Sequence, residues 1–230
     1  DLEQVGHYKT ISRAFGAPLK YIQGPSEFKE LPVYIKSFGT KIFALIDAFL
    51  YDSLGKEFKQ LCDQAGIIYV TDAFKGECSE KEVERVGALC KDYGPDVILG
   101  IGGGKTLDTV KYVANQRNLP FILVPTSAST DAPTSAMSVI YSDEGEHLYC
   151  VCHKKGADIV LVDSEIVVQA PVRLFVAGMG DALSTWSEAK ANEASGHMNE
   201  IGKGYRRCLL GMEIAGLCYR VIMEYGVIAK

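Results

Sequence analysis

The sequence predicts an α/β fold: an N-terminal parallel-sheet domain over residues 1–168, then, over residues 169–230, the first helices of an incomplete all-helical domain. Three observations carry this. Short runs rich in β-branched residues alternate with helical patterns, as in a parallel sheet whose crossovers are helices. The chain has 230 residues, 47% of them hydrophobic and 23% charged, enough for a large buried core and too many for one small module. After Pro171 no convincing strand follows, and the texture becomes helical.

The elements follow in order. Lys41–Asp47 reads as a buried strand, Leu50–Gln64 as a helix and Gly66–Val70 as a second strand. Ser79–Tyr93 is an amphipathic helix with Val83, Val86, Leu89 and Cys90 on one face, and Ser79 stands three residues before Glu82, the spacing of a capping box. Asp96–Gly100 and Pro120–Pro125 are the third and fourth strands, with a helix of Thr106–Asn115 between them. The turn Asp143-Glu144-Gly145-Glu146 predicts a hairpin between Met137–Tyr141 and Leu148–Cys152. Asp158–Asp163 is one more strand, and Val172–Ala194 and Ile201–Tyr225 read as two long helices. Two helices are too few to build a core of their own, so the second domain reads as incomplete.

Composition excludes several classes. The net charge is −5, from 24 basic and 29 acidic residues, which leaves no global field for nucleic acid or an anionic membrane. The longest apolar runs, such as Ile42–Ile46, are far shorter than a spanning helix. The start, Asp1-Leu2-Glu3-Gln4, carries neither region of a secretion signal. Seven cysteines are spread along the chain, an odd number at low density, and read as free thiols in a reducing cytoplasm. Cys150, Cys152 and His153 resemble half a metal site, but no second Cys/His pair stands at zinc spacing.

Three clusters could carry chemistry. Gly100-Ile101-Gly102-Gly103-Gly104-Lys105-Thr106 leaves a buried strand, turns on glycines and enters a helix. Glycines let backbone N–H groups approach a ligand, and a helix N-terminus favours anions, so the segment is a phosphate cradle. It is neither common phosphate motif. A Walker A loop needs glycine where Leu99 stands, and the dinucleotide fingerprint wants its third glycine at Lys105. Asp47, a buried carboxylate closing the first strand, stands where an adenosine ribose could be held, or is an ordinary loop-start aspartate. Four hydroxyls and Asp131 lie between Pro125 and Pro133 and can form a rigid polar wall at the same sheet edge. Asp181 sits in a helical segment beside Ala182, Leu183 and Trp186, where a carboxylate needs a helix-end amide, a cation or a metal as partner.

The stretches GIGGGKTLDTVKYVA (100–114), PTSASTDAPTSAMSVIY (125–141), LVDSEIVVQAPVRLFVAGMGDALSTWSEA (161–189) and EYGVIAK (224–230) resemble the glycerol dehydrogenase branch of the iron-containing alcohol dehydrogenase superfamily, relatives of dehydroquinate synthase. The resemblance covers nearly the whole chain from about Tyr21. It implies an NAD-binding α/β domain, a helical domain and zinc, with oxidation of glycerol or a related vicinal diol to dihydroxyacetone. By resemblance, Asp47 is the adenosine-ribose carboxylate, and Gly102, Gly103, Gly104 and Lys105 form the pyrophosphate loop. Thr126, Ser129, Ser135, Met137 and Tyr141 take the remaining cofactor contacts, with Met137 in place of the more usual leucine. Asp131 is implied as the substrate-contacting catalytic aspartate and Asp181 as the zinc ligand. Two further histidine ligands are expected beyond the end of this chain.

None of the four histidines present replaces them. His197, sixteen residues after Asp181, would lie about 24 Å away on a continuous helix. His147, His153, His197 and His7 all read as surface histidines. A cytoplasmic homo-oligomer acting on a small diol is the expectation, with doubtful turnover for this chain alone. Two alternatives stand beside it. A relative acting on a phosphorylated substrate, such as glycerol-1-phosphate dehydrogenase or dehydroquinate synthase, would want Lys or Arg near Asp131, and residues 125–141 contain none. A catalytically dead nucleotide-binding fragment is the other.

Overall fold

The apolar runs of the sequence become the strands of one parallel sheet. In the computed structural model the described residues are 12–198 and 204–229, so His7, the expected helix start at Ile201 and the terminal Lys230 lie outside them. The sheet is built from β1 (Lys20–Gly24), β2 (Lys41–Asp47), β3 (Ile68–Phe74), β4 (Val97–Gly102) and β5 (Phe121–Pro125), with β6 (Met137–Tyr141) and β7 (His147–Cys152) forming a separate antiparallel hairpin and β8 (Ile159–Asp163) returning to the sheet. Its order is β1-β8-β5-β4-β2-β3, and all five pairings are parallel.

A strand covered by helices on both faces buries every residue, which is why β2 and β4 read as continuous apolar runs. Ile42, Ala44 and Ile46 of β2 pack on one face with α1 (Leu31–Lys36) and α2 (Leu54–Ala65), through Leu31, Ile35, Phe58 and Cys62. Phe43 and Leu45 turn to the opposite face, against Val83, Val86 and Cys90 of α3 (Glu80–Tyr93) and Leu107, Val110 and Val113 of α4 (Gly104–Arg117). Ser79 caps α3 as expected, its side chain accepting from the Glu82 amide.

Several boundaries differ from the sequence reading, each for a local reason. β1 is unanticipated, because it is an edge strand whose KYIQG residues alternate in exposure and show no apolar run. It makes Asp47 the end of the second strand, not the first, and Asp47 is half-buried rather than buried. α2 starts at Leu54 and not Leu50, since Asp47 accepts from the Phe49 amide and caps a 3-10 turn over Ala48–Leu50. β3 begins two residues late, because Gly66 is left-handed (φ 67°) and the Gly66 and Ile67 amides still donate to carbonyls of α2.

The α-carbon contacts divide the described chain into two units: residues 17–128 with 132–171, and residues 129–131 with 12–16, 172–198 and 204–229. The first contains the sheet, the hairpin and the short α5 (Ser164–Val167). The second contains α6 (Val172–Ser195) and α7 (Leu209–Tyr225), which pack where Gly216 leaves room for the Trp186 ring; a Cβ there would lie 3.3 Å from it. α7 starts eight residues after the expected Ile201, with Cys208 extended at its N-cap. Ala215 is the one buried hydrophobic residue among those described in this unit.

Candidate functional site

Going from β3 to β4, the chain crosses from one side of β2 to the other, so the sheet order reverses between β2 and β4. Open α/β sheets bind ligands at the carboxyl ends of the strands flanking such a reversal. Asp47 ends β2 and Gly102 ends β4. They are in contact: a Cβ on Gly102 would lie 3.0 Å from the Asp47 Cβ and 2.8 Å from the Thr106 Oγ1. The Thr126 amide donates to the Gly102 carbonyl at 3.1 Å, which places the start of the hydroxyl-rich segment at the same edge.

The next glycine has the opposite surroundings. Gly103 is the extended N-cap of α4, with no side-chain cap, and a Cβ built on it meets nothing within 4 Å. The first-turn amides of α4 therefore face open space without a side-chain acceptor. Unsatisfied amides at a helix start are groups that an anion such as phosphate can accept from.

Lys105, in the first turn of α4, pairs with Glu77 and lies over the Tyr141 ring with its nitrogen 4.8 Å from the centroid. Burial pushes the Tyr141 phenol up, against the lowering pull of Lys105. Ser135 and Met137 are tied elsewhere: the Ser135 hydroxyl and the Met137 carbonyl both receive the Lys111 nitrogen. Asp47, Gly102, Gly103, Gly104, Lys105, Thr126, Ser135, Met137 and Tyr141 all belong to the sheet-bearing unit, whereas Ser129 groups with Asp131 in the helical unit.

In the helical unit, the two aspartates singled out from sequence meet. The Asp131 amide donates to Asp181 Oδ2 at 3.0 Å. The partner that Asp181 requires is thus a backbone amide. Its own carbonyl accepts from Ser184 Oγ at 2.9 Å and Thr185 Oγ1 at 3.1 Å.

Within the described part of this unit, His197 does not join the pair. α6 runs unbroken from Asp181 to Ser195, and His197 is exposed beyond its end, as is His147 on the hairpin. His153 is not a surface histidine. It is half-buried, its ring edge-on to Tyr112 and its Nε2 2.7 Å from the Ser138 hydroxyl. Among the described residues no group of three or more His, Cys, Asp or Glu is arranged to hold a metal ion, so the donor set does not fit zinc. All described cysteines are free, with Cys150 and Cys152 exposed.

Residues 18–164 match the iron-containing alcohol dehydrogenase family. The chain belongs to that family. A glycerol dehydrogenase of Thermotoga maritima is 42% identical over 214 residues, 93% of this chain and 57% of that protein. One from Citrobacter freundii is 40% identical over 93% of this chain and 58% of its own length. A crystal structure of a probable glycerol dehydrogenase from Sinorhizobium meliloti 1021 superposes with a TM-score of 0.88 at 39% identity, covering 94% of this chain and 59% of that one. The chain thus spans under three-fifths of the length of these family members.

Three residues of this family member escaped the sequence reading. Glu77 pairs with Lys105 from the loop before α3. Asp108 and Lys111 lie one helical turn apart in α4, buried; Lys111 holds the segment before β6 at Ala132, and Asp108 holds β6 itself at Val139. Their i, i+3 spacing was the available signal, but on a helix it usually marks a solvated ion pair.

Proposed function

We propose that this chain carries the nucleotide-binding part, and the start of the helical part, of an NAD-dependent dehydrogenase that oxidises glycerol or a related vicinal diol to dihydroxyacetone. The open space over Gly103, set between Asp47 and Thr126 at the reversal of strand order, is the observation that supports it most directly. There the amides of the α4 first turn would receive the pyrophosphate, with Lys105 alongside, and Asp47 would accept from the adenosine ribose hydroxyls. Thr126, Ser129, Ser135, Met137 and Tyr141 are assigned the remaining contacts. NAD, when bound, supplies the hydride acceptor.

Asp131 is proposed to hold the diol through its carboxylate, and Asp181 to fix the backbone that presents it, as their hydrogen bond suggests. Asp181 is also the one carboxylate matched to a zinc ligand, and no step is assigned to a metal on a single ligand. Residues 169–230 are read as the first helices of a helical domain, and a cytoplasmic homo-oligomer belongs to the same proposal. No helix among the described residues is long and apolar enough to cross a membrane.

Titration calorimetry with NAD and NADP, followed by glycerol-dependent NADH formation at alkaline pH, tests the reading. NAD binding with preference over NADP is expected. Absence of NAD binding overturns it, and turnover of glycerol phosphate in place of glycerol would move the substrate to the phosphorylated class.

A further inference from the structure

Lys111 is fully buried on α4, and its nitrogen is ringed by oxygen partners. Asp108 Oδ1 lies at 2.8 Å, the Ala132 carbonyl at 2.6 Å and Ser135 Oγ at 3.1 Å, with the Met137 carbonyl closer still. Asp108 grips the same stretch from its other oxygen, Oδ2, which accepts from the Val139 amide at 2.9 Å, and its carbonyl accepts from Ser138 Oγ at 2.8 Å. The Ser135 carbonyl receives the Lys111 nitrogen as well, at 3.4 Å, so one helical turn holds residues 132–139 at six of their polar groups. A buried lysine is a costly way to fill space, and a well-packed apolar residue is often as stable. What Lys111 supplies is a donor for carbonyls of an irregular segment that makes no sheet pairing before Met137. That segment leads into Tyr141, whose ring meets Lys105 of the cradle.

We propose that Lys111, held by Asp108, is a positioning residue of the nucleotide site: it sets the conformation of residues 132–139 and thereby the placement of Ser135, Met137 and Tyr141. The inference rests on the NAD reading above. Lys111 does not reach the nucleotide itself, and it acts through the four carbonyl and hydroxyl oxygens it gathers.

The test uses Lys111→Met and the double variant D108N/K111M, which keeps both shapes and leaves no unpaired buried charge. NAD and AMP dissociation constants are measured for the parent and both variants, with hydrogen exchange read at residues 132–141 and across β2 and β4. The expected result is NAD binding weakened by roughly tenfold, about 1.4 kcal/mol. AMP binding, on the Asp47 side, is expected to stay within about twofold. Exchange should quicken at 132–139 and stay unchanged in β2 and β4. Unchanged NAD affinity, equal losses for NAD and AMP, or an unfolded double variant would each overturn the proposal by making the pair structural alone. A parent that binds no NAD fails the functional reading before any variant is compared, so the two failures are separable.

Discussion

The backbone amide of Asp131 donates to Oδ2 of Asp181 across fifty residues of sequence, at 3.0 Å. A carboxylate on a helix with apolar neighbours would otherwise carry an uncompensated cost, and this amide offsets part of it. Asp181→Asn retains a carbonyl oxygen able to accept the same N–H, whereas Asp181→Ala does not. The expected stability loss is under about 0.5 kcal/mol for Asn and about 1 kcal/mol for Ala, a charged-acceptor hydrogen bond discounted for partial exposure. Chemical denaturation measures both, and equal losses would mean that the hydrogen bond contributes nothing.

Gly102 and Gly103 are neighbours with opposite expectations. A Cβ on Gly102 meets Thr106 Oγ1 at 2.8 Å, so Gly102→Ala must displace the first turn of α4 and should destabilise by about 1–3 kcal/mol. A side chain on Gly103 meets nothing within 4 Å, so Gly103→Val should leave stability nearly unchanged while filling the cradle. NAD affinity should then fall by at least roughly tenfold. Paired denaturation and calorimetry check the contrast; a Gly103→Val protein that binds NAD as the parent does removes the phosphate from this loop.

What could be read from sequence follows burial. β2, β4 and β5 are covered on both faces, so their apolar runs are continuous and stand out. β1 lies at an edge with Tyr21 53% exposed, and its KYIQG looks like a loop. The glycine loop was legible because its chemistry is local: strand, turn and helix start lie within seven residues, 100–106. Lys111 was not, since a lone lysine in a helix reads as a solvated side chain until the loop that covers it is known. His153 was misplaced on the surface for the same reason, because the Tyr112 ring and Ser138 hydroxyl that cover it come from α4 and β6.

Asp47 offers a specificity test that separates its capping bond from the ribose contact proposed for it. Its Oδ1 accepts from the Phe49 amide at 2.9 Å, an ordinary N-cap bond that serine can also make. Asp47→Ser should therefore keep the 3-10 turn but lose the charge that repels a 2′-phosphate. The ratio of NADP to NAD dissociation constants, measured by calorimetry, should shrink by roughly tenfold, about 1.4 kcal/mol. A ratio that does not move would leave Asp47 with capping alone.

His153 carries a pH dependence whose sign is set by its surroundings. Burial pushes its imidazole down from 6.5 to about 4, and the nearby Lys111 charge acts in the same direction. The Ser138 hydroxyl gives its proton to the Asp108 carbonyl at 2.8 Å, so His153 Nε2, 2.7 Å from that hydroxyl, must be the donor between them. The folded protein thus holds the neutral Nε2–H tautomer, while the unfolded chain takes up a proton near 6.5. Between those two values the unfolded state binds more protons, so stability falls as pH drops. The contribution is whole above about pH 6.5 and is lost by about pH 4, on the order of 1–3 kcal/mol. Carboxylates titrate in the same range, which makes the comparison with His153→Gln decisive: the glutamine amide can still donate to Ser138 but does not protonate. Denaturation midpoints measured from pH 7.5 to 4.5 should fall more steeply for the parent than for His153→Gln. Parallel curves would place the histidine in water in both states and remove it from the buried network beside Lys111.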